Sequence, residues 1–439
     1  MLKVLKNRVY RHLFLAQVIA LLGTGLATVA LSLLAFDLAG DRAAMVLGTA
    51  LTIKMVAYVS LAPIAAAFAD RVSRQKLLIG LDLVRAFVAL ALPFVTEVWQ
   101  IYVLVFLLQA ASAGFTPTFQ ATIPDVLPEE TDYTRALSLS RLAYDLESLV
   151  SPVLAALLLT ILTYDALFSG TLLGFLASAT LIVSISLPNP KPSAPRGIYD
   201  RTTRGTRIFL ATPRLRGLLC LNLAVASASA MVLVNTINLV RGDLALTEGA
   251  LAITLGAFGG GSMIAALSLP RLLEKWSDRP VMMRAAYVMI ATLAALAICM
   301  SIVGLNWAML LVAWIVSGIC YSAVQTPAGR LLRRSAHPED RPAVFAAQFA
   351  LSHACWLGTY PLAGWLMTSF GAITALCGLA GLGSVGVVSA VMLWPAKEPE
   401  ALPHVHEDLP PDHPHLATHG QGSHAHPIII DDLHTEWPR

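Results

Sequence analysis

Charge is what this chain of 439 residues has least of. Asp, Glu, Lys and Arg make up 13% of it, about half of the roughly 25% usual in soluble domains. With 56% of residues in the AVILMFWYC set and a mean hydropathy of +0.69, a soluble domain of this size could not hide its apolar surface. A soluble enzyme, a disordered chain and a secreted disulfide scaffold are therefore excluded. The five cysteines, Cys220, Cys299, Cys320, Cys355 and Cys377, all fall inside apolar segments without CxxC spacing. They read as small packing residues, not as a disulfide frame or an iron–sulfur site. No G-x-x-x-x-G-K-[ST] loop is present, which disfavours ATP-driven work by this chain. No segment presents nucleophile, base and orienter together, so no enzymatic activity and no tightly bound cofactor is expected. A net charge of +3 is too small to suggest nucleic acid.

What is present is apolar length. A helix crosses a bilayer in about 20 apolar residues. Twelve segments qualify, near 12–36, 46–69, 77–96, 99–124, 139–163 and 166–187, then near 216–240, 247–270, 284–304, 306–331, 343–369 and 371–394. The first is too long for a signal-peptide core and reads as a helix that stays in place. The expected fold class is an all-α membrane protein with twelve transmembrane helices in two pseudo-symmetric six-helix halves. Residues 1–187 form the first half, 188–215 a Pro-, Arg- and Thr-rich linker, and 216–395 the second half. Residues 396–439 form a His-, Pro- and acid-rich tail without the apolar content for a core of its own.

Of the 30 Lys and Arg residues, Lys54, Arg85 and Arg141 fall inside predicted helices. Arg42 and Arg241 fall in loops on one side. The remaining 25 lie in the N-terminus, the loops of the other side and the tail. The positive-inside bias assigns that basic side, with both termini, to the cytosol of a bacterial-type inner membrane.

The halves repeat. Thr116-Pro117 with Pro128-Glu129-Glu130 recurs as Thr326-Pro327 with Pro338-Glu339-Asp340, at an offset of 210. Asp70-Arg71 recurs as Asp278-Arg279 at 208, and Pro152 as Pro361 at 209. Parallel repeats of this kind describe a rocking transporter with its site between the halves.

Between helices 2 and 3 the chain reads Ala69-Asp70-Arg71-Val72-Ser73-Arg74-Gln75-Lys76. This resembles the D-R-x-x-R-[RK]-type signature of the major facilitator superfamily, with Ala66 where a glycine is usual and Gln75 inserted before Lys76. Over residues 10–395 the helix count, repeat and central loop are similar to that family. Ser151-Pro152-Val153-Leu154-Ala155-Ala156 resembles, in degraded form, the G-P-x-x-G-G element of the family's proton-coupled exporters, and Tyr360-Pro361 to Gly364 sits in the matching place of helix 11. The Thr-Pro-to-Pro-Glu region resembles the branch with macrolide exporters and nickel-resistance exporters, some of which carry His-rich C-terminal tails. The resemblance implies a latch of the outward-facing state at Asp70, Arg71, Arg74, Asp278 and Arg279. Anchoring of topology alone is the plainer alternative.

Charges inside a membrane are costly and default to functional roles. Asp82 and Arg85, three apart, can pair structurally on one helix face. Arg141, Asp145, Ser148 and Pro152 share another face, where Arg141 can neutralise Asp145. Glu147 lies roughly 160° around the helix from Asp145 and has no base on its own helix. Burial disfavours the charged form of a lone carboxyl, so Glu147 leads Asp145 and Asp82 as the proton-coupling candidate. Pairing with Lys54 or Arg85 is its bland alternative. His353 matches Tyr144 by the repeat offset, which would set it across from the helix 5 acids, as a metal ligand, a proton relay or a packing residue. Gln17, Thr24, Thr28 and Ser32 on helix 1, and Asn235 and Asn238 on helix 7, form polar stripes. They are candidates for lining the cavity or for helix–helix hydrogen bonds.

Eight of the eleven histidines lie in the last 36 residues: His404, His406, His413, His415, His419, His424, His426 and His434. With interspersed carboxylates and no cysteine they suit borderline divalent metals, so nickel, cobalt or zinc is expected at the tail. The reading from sequence is a secondary transporter, proton-coupled and working as a monomer in the lipid bilayer. Its first substrate is nickel or cobalt exported against protons. Its rivals are export of small amphipathic organic compounds of the macrolide type, and a non-transporting membrane metal sensor.

Overall fold

The protein is described from a computed structural model, which covers residues 2–69, 72–188, 197–396, 401–404, 410, 423–426 and 428–437. The first half comprises α1 (Arg8–Ala39), α2 (Ala43–Ala69), α3 (Arg74–Ala91), α4 (Val98–Val126), α5 (Glu130–Leu159) and α6 (Tyr164–Val183). The linker holds α7 (Ile198–Ala211). The second half comprises α8 (Pro213–Ile237), α9 (Glu248–Lys275), α10 (Asp278–Val303), α11 (Trp307–Gln325), α12 (Ala328–Arg334) and α13 (Arg341–Leu393). Eleven of these helices are long and apolar enough to cross a membrane. The longest, α13, is two spans: Gly371 breaks it at φ 82° and ψ 176°, a left-handed conformation that glycine alone adopts without a Cβ penalty. Twelve spans result.

Local chemistry sets the helix ends. Asn7, Ser73, Thr247 and Asn306 cap α1, α3, α9 and α11 by accepting backbone N–H groups from Tyr10, Lys76, Ala250 and Ala308, which satisfies donors that a helix start leaves orphaned. Pro327, which lacks an N–H, separates α11 from α12, so the expected tenth segment ends sooner than its hydropathy suggests. Helix α5 starts well before the apolar segment expected from 139, because its first turns, from Glu130, are polar and invisible to a hydropathy window.

The two halves pack alike. The pairs α1–α6, α2–α4 and α3–α6 of the first half correspond to α8–α13, α9–α11 and α10–α13 of the second. Small residues allow these approaches. A Cβ on Gly174 would stand 3.2 Å from Ile19 O, and one on Gly386 would stand 2.6 Å from Cys220 O. The tightest crossing is α9 on α11, where a Cβ on Gly318 would fall 1.9 Å from Phe258 O and one on Gly261 would fall 2.1 Å from Ile315 O. Between halves, α2 meets the first arm of α13, and α5 meets α9.

The N-terminus, linker and tail gather on one face, called here the basic face. Helix α7 is clamped to the start of α13: Arg204 holds Asp340 through two hydrogen bonds of 2.5 and 2.8 Å, and a Cβ on Gly205 would strike Ala343 O. Arg204 also bonds Asp432 at 2.6 Å. The tail, expected to lack a core, uses that of the second half. Ile428 and Ile430 are buried in it and Trp437 packs against it, with the Arg214 guanidinium 5.4 Å from the Trp437 ring centre. The run Ile428-Ile429-Ile430 was the signal for this docking. His404 pairs with His424 in a two-stranded ribbon of 402–404 and 424–426.

The α9–α11 crossing gives a direct test. Gly318→Ala puts a methyl group into backbone and should destabilise the protein by about 1–3 kcal/mol. Gly260→Ala, on α9 beside Gly261 but with nothing within 4 Å of its Cβ position, should be neutral or slightly stabilising. Thermal melts of the two variants in detergent compare them, and equal melting temperatures would contradict the crossing.

Candidate functional site

Two layers of polar side chains lie between the halves. The layer at the basic face begins with Asp125, at the end of α4. It accepts from Arg74 of its own half at 2.5 Å and from Arg341, the first residue of α13, in the other half. Arg330 of α12 makes the second bridge. Its Nη2 lies 2.6 Å from Glu130 and its Nη1 donates to Thr134 at 2.6 Å, both on α5. Its Nε lies 2.8 Å from Asp278 of its own half, an ionic contact bent away from the N–H direction. Asp278 also takes Arg334 and is 2% exposed. Arg333 donates to Pro128 O across the seam. Arg135 adds a longer and more exposed contact to Glu274, 3.8 Å.

Among the expected latch residues, Arg74 thus shares Asp125 with Arg341, and Asp278 is the same-half partner of Arg330, which crosses to Glu130. Arg279 does not cross it: it donates to Trp394 O at 2.9 Å. Asp70 and Arg71 lie outside the described residues. Asp125, Glu130, Arg330 and Arg341 were missed by sequence reasoning because each partner lies far along the chain. The Pro-Glu-Glu and Pro-Glu-Asp repeats, already noted as landmarks, flank them.

The mid-depth layer is built on α5. Arg141 pairs with Asp145, as the four-residue spacing implied. The pair also joins the second half: Ser262 of α9 donates to Asp145 at 2.7 Å, and Arg141 donates to Tyr321 of α11 at 3.3 Å and stacks 4.6 Å from its ring centre. Beside this contact a Cβ on Gly259 would touch Leu149 at 3.1 Å. Glu147 points elsewhere on α5. A Cβ on Gly25 of α1 would be 3.5 Å from its Oε1, and the charges acting on it are those of Lys54 and Arg141. Among the described residues Glu147 has no hydrogen bond and no ion pair within 4 Å. Lys54 of α2 likewise has no carboxylate within 4 Å; its ammonium lies 5.7 Å from the Tyr58 ring centre. A separated carboxylate and ammonium thus share a half-buried space at mid-depth.

His353 does not meet the helix 5 acids. Its Nδ1 bonds Phe349 O at 2.6 Å, its ring packs 4.9 Å from Tyr58 and 4.2 Å from Phe349, and the charge acting on it is that of Lys54. The repeat offset fixes depth, not rotation about the axis, which explains the difference. Asp82 is fully buried within the first half, paired with Arg85 and bonded by Ser178 at 2.7 Å. Arg85 is sandwiched at 3.9 and 4.6 Å from the Phe115 and Phe175 ring centres. That is a structural pair.

Of the polar stripes, Asn235 is fully buried and donates to Ala363 O at 3.1 Å, so it ties α8 to α13 and lines no cavity. Gln17, 5% exposed, accepts from Ser140 of α5 at 3.0 Å. A buried amide must find a partner, and both do so between helices. Thr24, Thr28 and Ser32 bond carbonyls of their own helix. Asn238 is exposed, at the start of a π-helical turn over Asn238–Asp243.

In the tail, the His426 ring lies 5.1 Å from His434 and 5.6 Å from His424. Asp431 accepts from His434 at 3.0 Å and faces His337 at 3.4 Å. Among the described residues no three such side chains converge as a metal site, so the donors described do not fit a preformed ion site. His406, His413, His415 and His419 lie outside the described residues, as does the His404 side chain.

Among the described residues, hydrogen bonds, ion pairs and ring contacts between the halves run from mid-depth to the basic face and leave the far third unjoined. Twelve spans in two like-packed halves with a polar seam between them describe a carrier. A sequence profile of the Major Facilitator Superfamily matches residues 13–302 and 218–418. The chain belongs to the Major Facilitator Superfamily. It is a multi-pass membrane transporter and not an enzyme. It is similar to macrolide efflux protein A of Streptococcus pyogenes, 28% identical over 150 residues that cover 33% of this chain and 37% of the relative. The same protein of Enterococcus faecalis is 28% identical, with 46% of it covered. The chain therefore aligns with less than half the length of these curated relatives. Among solved structures, a bacterial homologue of the iron transporter ferroportin in its outward-facing state superposes with a TM-score of 0.73 at 13% identity, over 88% of this chain and 99% of that one. The human organic anion transporter MFSD10 gives 0.72 at 14%, over 87% and 99%. These identities establish the fold.

The basic-face layer should control which side is open. Asp125→Asn removes the carboxylate shared by Arg74 and Arg341 and should shift the population toward an open basic face by about tenfold, or ~1.4 kcal/mol. Spin labels on the ends of α4 and α12, read as a distance distribution, would check this. An unchanged distribution would remove Asp125 from the latch.

Proposed function

We propose that the protein is a proton-coupled exporter of small amphipathic organic compounds. In this reading it lies in the inner membrane with both termini and the tail in the cytosol. The observation that carries the reading is the separated pair Glu147 and Lys54, held at mid-depth without close partners. Charges left loose in a membrane interior are costly unless function retains them. The positive-inside bias makes the basic face cytosolic, so the arrangement closed at that face is the outward-facing one.

The cycle follows from these residues. With the far side open, Glu147 takes a proton from outside and its attraction to Lys54 lapses. Opening toward the cytosol then requires Asp125 to release Arg341 and Arg330 to release Glu130, while Asp145 parts from Ser262. Glu147 loses its proton inside, the Lys54–Glu147 attraction returns, and a cationic or amphipathic guest meets a cavity with a carboxylate and the Tyr58 ring. The macrolide exporters among its relatives support the direction and the class of cargo.

Divalent metal export is the second reading, favoured by the proximity of His424, His426, His434 and Asp431 in the tail. The mid-depth donor set argues against it. His353 is the single histidine there and has Lys54 as its neighbouring charge, while Asp145 is already held by Arg141 and Ser262.

In proteoliposomes with an imposed pH gradient, Glu147→Gln should reduce uphill macrolide transport by at least about tenfold while gradient-free counterflow persists. Wild-type uphill rates in this variant would remove Glu147 from coupling. Cells making the protein should tolerate amphipathic organic compounds at severalfold higher dose, with nickel and cobalt tolerance unchanged. Higher nickel tolerance that falls when residues 404–434 are deleted would instead establish the metal reading.

A further inference from the structure

At the basic face, between the halves, lies a cavity of about 130 Å³ lined by Glu130 and Tyr133 of α5, Arg330, Arg333 and Arg334 of α12, and Arg341 of α13. Its charge is unbalanced. Among the described residues, with Arg74, five guanidinium groups meet three carboxylates, Asp125, Glu130 and Asp278. Arg330, Arg334 and Arg341 each have a carboxylate partner; Arg333 has none within 4 Å among the described residues, only Pro128 O and the Tyr133 ring at 5.3 Å.

The lining also holds donors without acceptors. Arg333 Nη1, Arg341 Nε and the Tyr133 hydroxyl are buried and unbonded, and Tyr133 itself is fully buried. A buried donor left unpaired costs about 1–3 kcal/mol, more when charged. Three among the lining residues, beside a surplus of positive charge, call for an acceptor with several oxygens and negative charge. Phosphate supplies both, and planar guanidinium forks match its edges. Glu130 is the one lining carboxylate that would oppose it, and Glu130 is engaged by Arg330 and half-exposed.

We propose that this cavity is a phosphate-group site, filled by inorganic phosphate or by the phosphodiester of an anionic lipid headgroup, which holds the basic face shut. The donors come from both halves: Tyr133 from the first, Arg333 and Arg341 from the second. The site is complete only when the halves meet there, so its ligand stabilises the closed arrangement by its differential affinity. Basic pockets between membrane helices near the headgroups are suited to anionic lipid, and the cavity is equally open to the soluble ion.

The test uses the full chain in neutral detergent, melted against increasing inorganic phosphate with chloride holding ionic strength constant. The wild type should show a saturable rise in melting temperature. Arg333→Gln should weaken the apparent affinity at least about tenfold, and Glu130→Gln, which removes the opposing carboxylate, should tighten it. In nanodiscs of phosphatidylcholine the phosphate response should persist. In phosphatidylglycerol it should flatten with raised basal stability if lipid fills the site, and remain if soluble phosphate does. A response identical in wild type and Arg333→Gln overturns the proposal, as does the absence of any response to phosphate together with equal stability in the two lipids. Should Arg333→Gln fail to fold, an unchanged affinity in Glu130→Gln overturns it as well.

Discussion

A charge that cannot reach water must find its opposite, and in this protein the opposite repeatedly stands in the other half. Asp125 is shared by Arg74 and Arg341, and Arg330 is shared by Asp278 and Glu130. In each case one partner belongs to the same half and holds its shape, while the other lies across the seam. This division matters for rocking. When the halves part, Asp125 keeps Arg74 and Arg330 keeps Asp278, so neither is stranded. Breaking a buried pair by leaving one charge alone costs several kcal/mol; shared charges lower that cost and allow both arrangements to be populated.

Close packing divides the same way. Within a half, glycines bring backbones into contact at the α9–α11 crossing and at Gly174 and Gly386, and those contacts have no slack. Across the seam at mid-depth the contacts are side-chain contacts: Leu149 on Gly259, Ser262 on Asp145, Tyr321 on Arg141. Rigid halves and an adaptable seam are what rigid-body alternation requires, since packed interiors deform little. The buried Asp82–Arg85 pair belongs to the first half alone, with Ser178 bonded to Asp82 and two phenylalanine rings stacked on Arg85.

Much of the architecture could be read before any coordinates. Twelve apolar segments, a repeat near 209 residues and the Asp-Arg landmarks follow from composition and spacing. So do Asp82–Arg85 and Arg141–Asp145, because partners three and four apart on a helix are neighbours by geometry. The limit came where partners are distant in sequence. Ser262 lies 117 residues from Asp145, and Arg341 lies 216 from Asp125. Nothing local marks Ser262, and the Pro-Glu-Asp landmark beside Arg341 does not name its partner. The polar stripes left two alternatives open for a related reason: periodicity shows that Gln17 and Asn235 share a face with other polar groups, not whether that face meets water or, as for these two, another helix. The π-helical turn after α8 and the left-handed Gly371 within α13 were likewise invisible to hydropathy.

The linker and tail extend the logic of the seam into the polar region. Arg204 binds Asp340, at the head of α13, and Asp432, in the tail. Asp340 immediately precedes Arg341, the residue that crosses to Asp125. The tail is anchored by Ile428 and Ile430 in the core of the second half, so it travels with that half and not with the first. Asp432 is therefore linked to the Asp125–Arg341 bridge through two ion pairs and one peptide bond. In the proposed cycle, the tail is tied to the helix whose head crosses the seam, whatever its histidines bind.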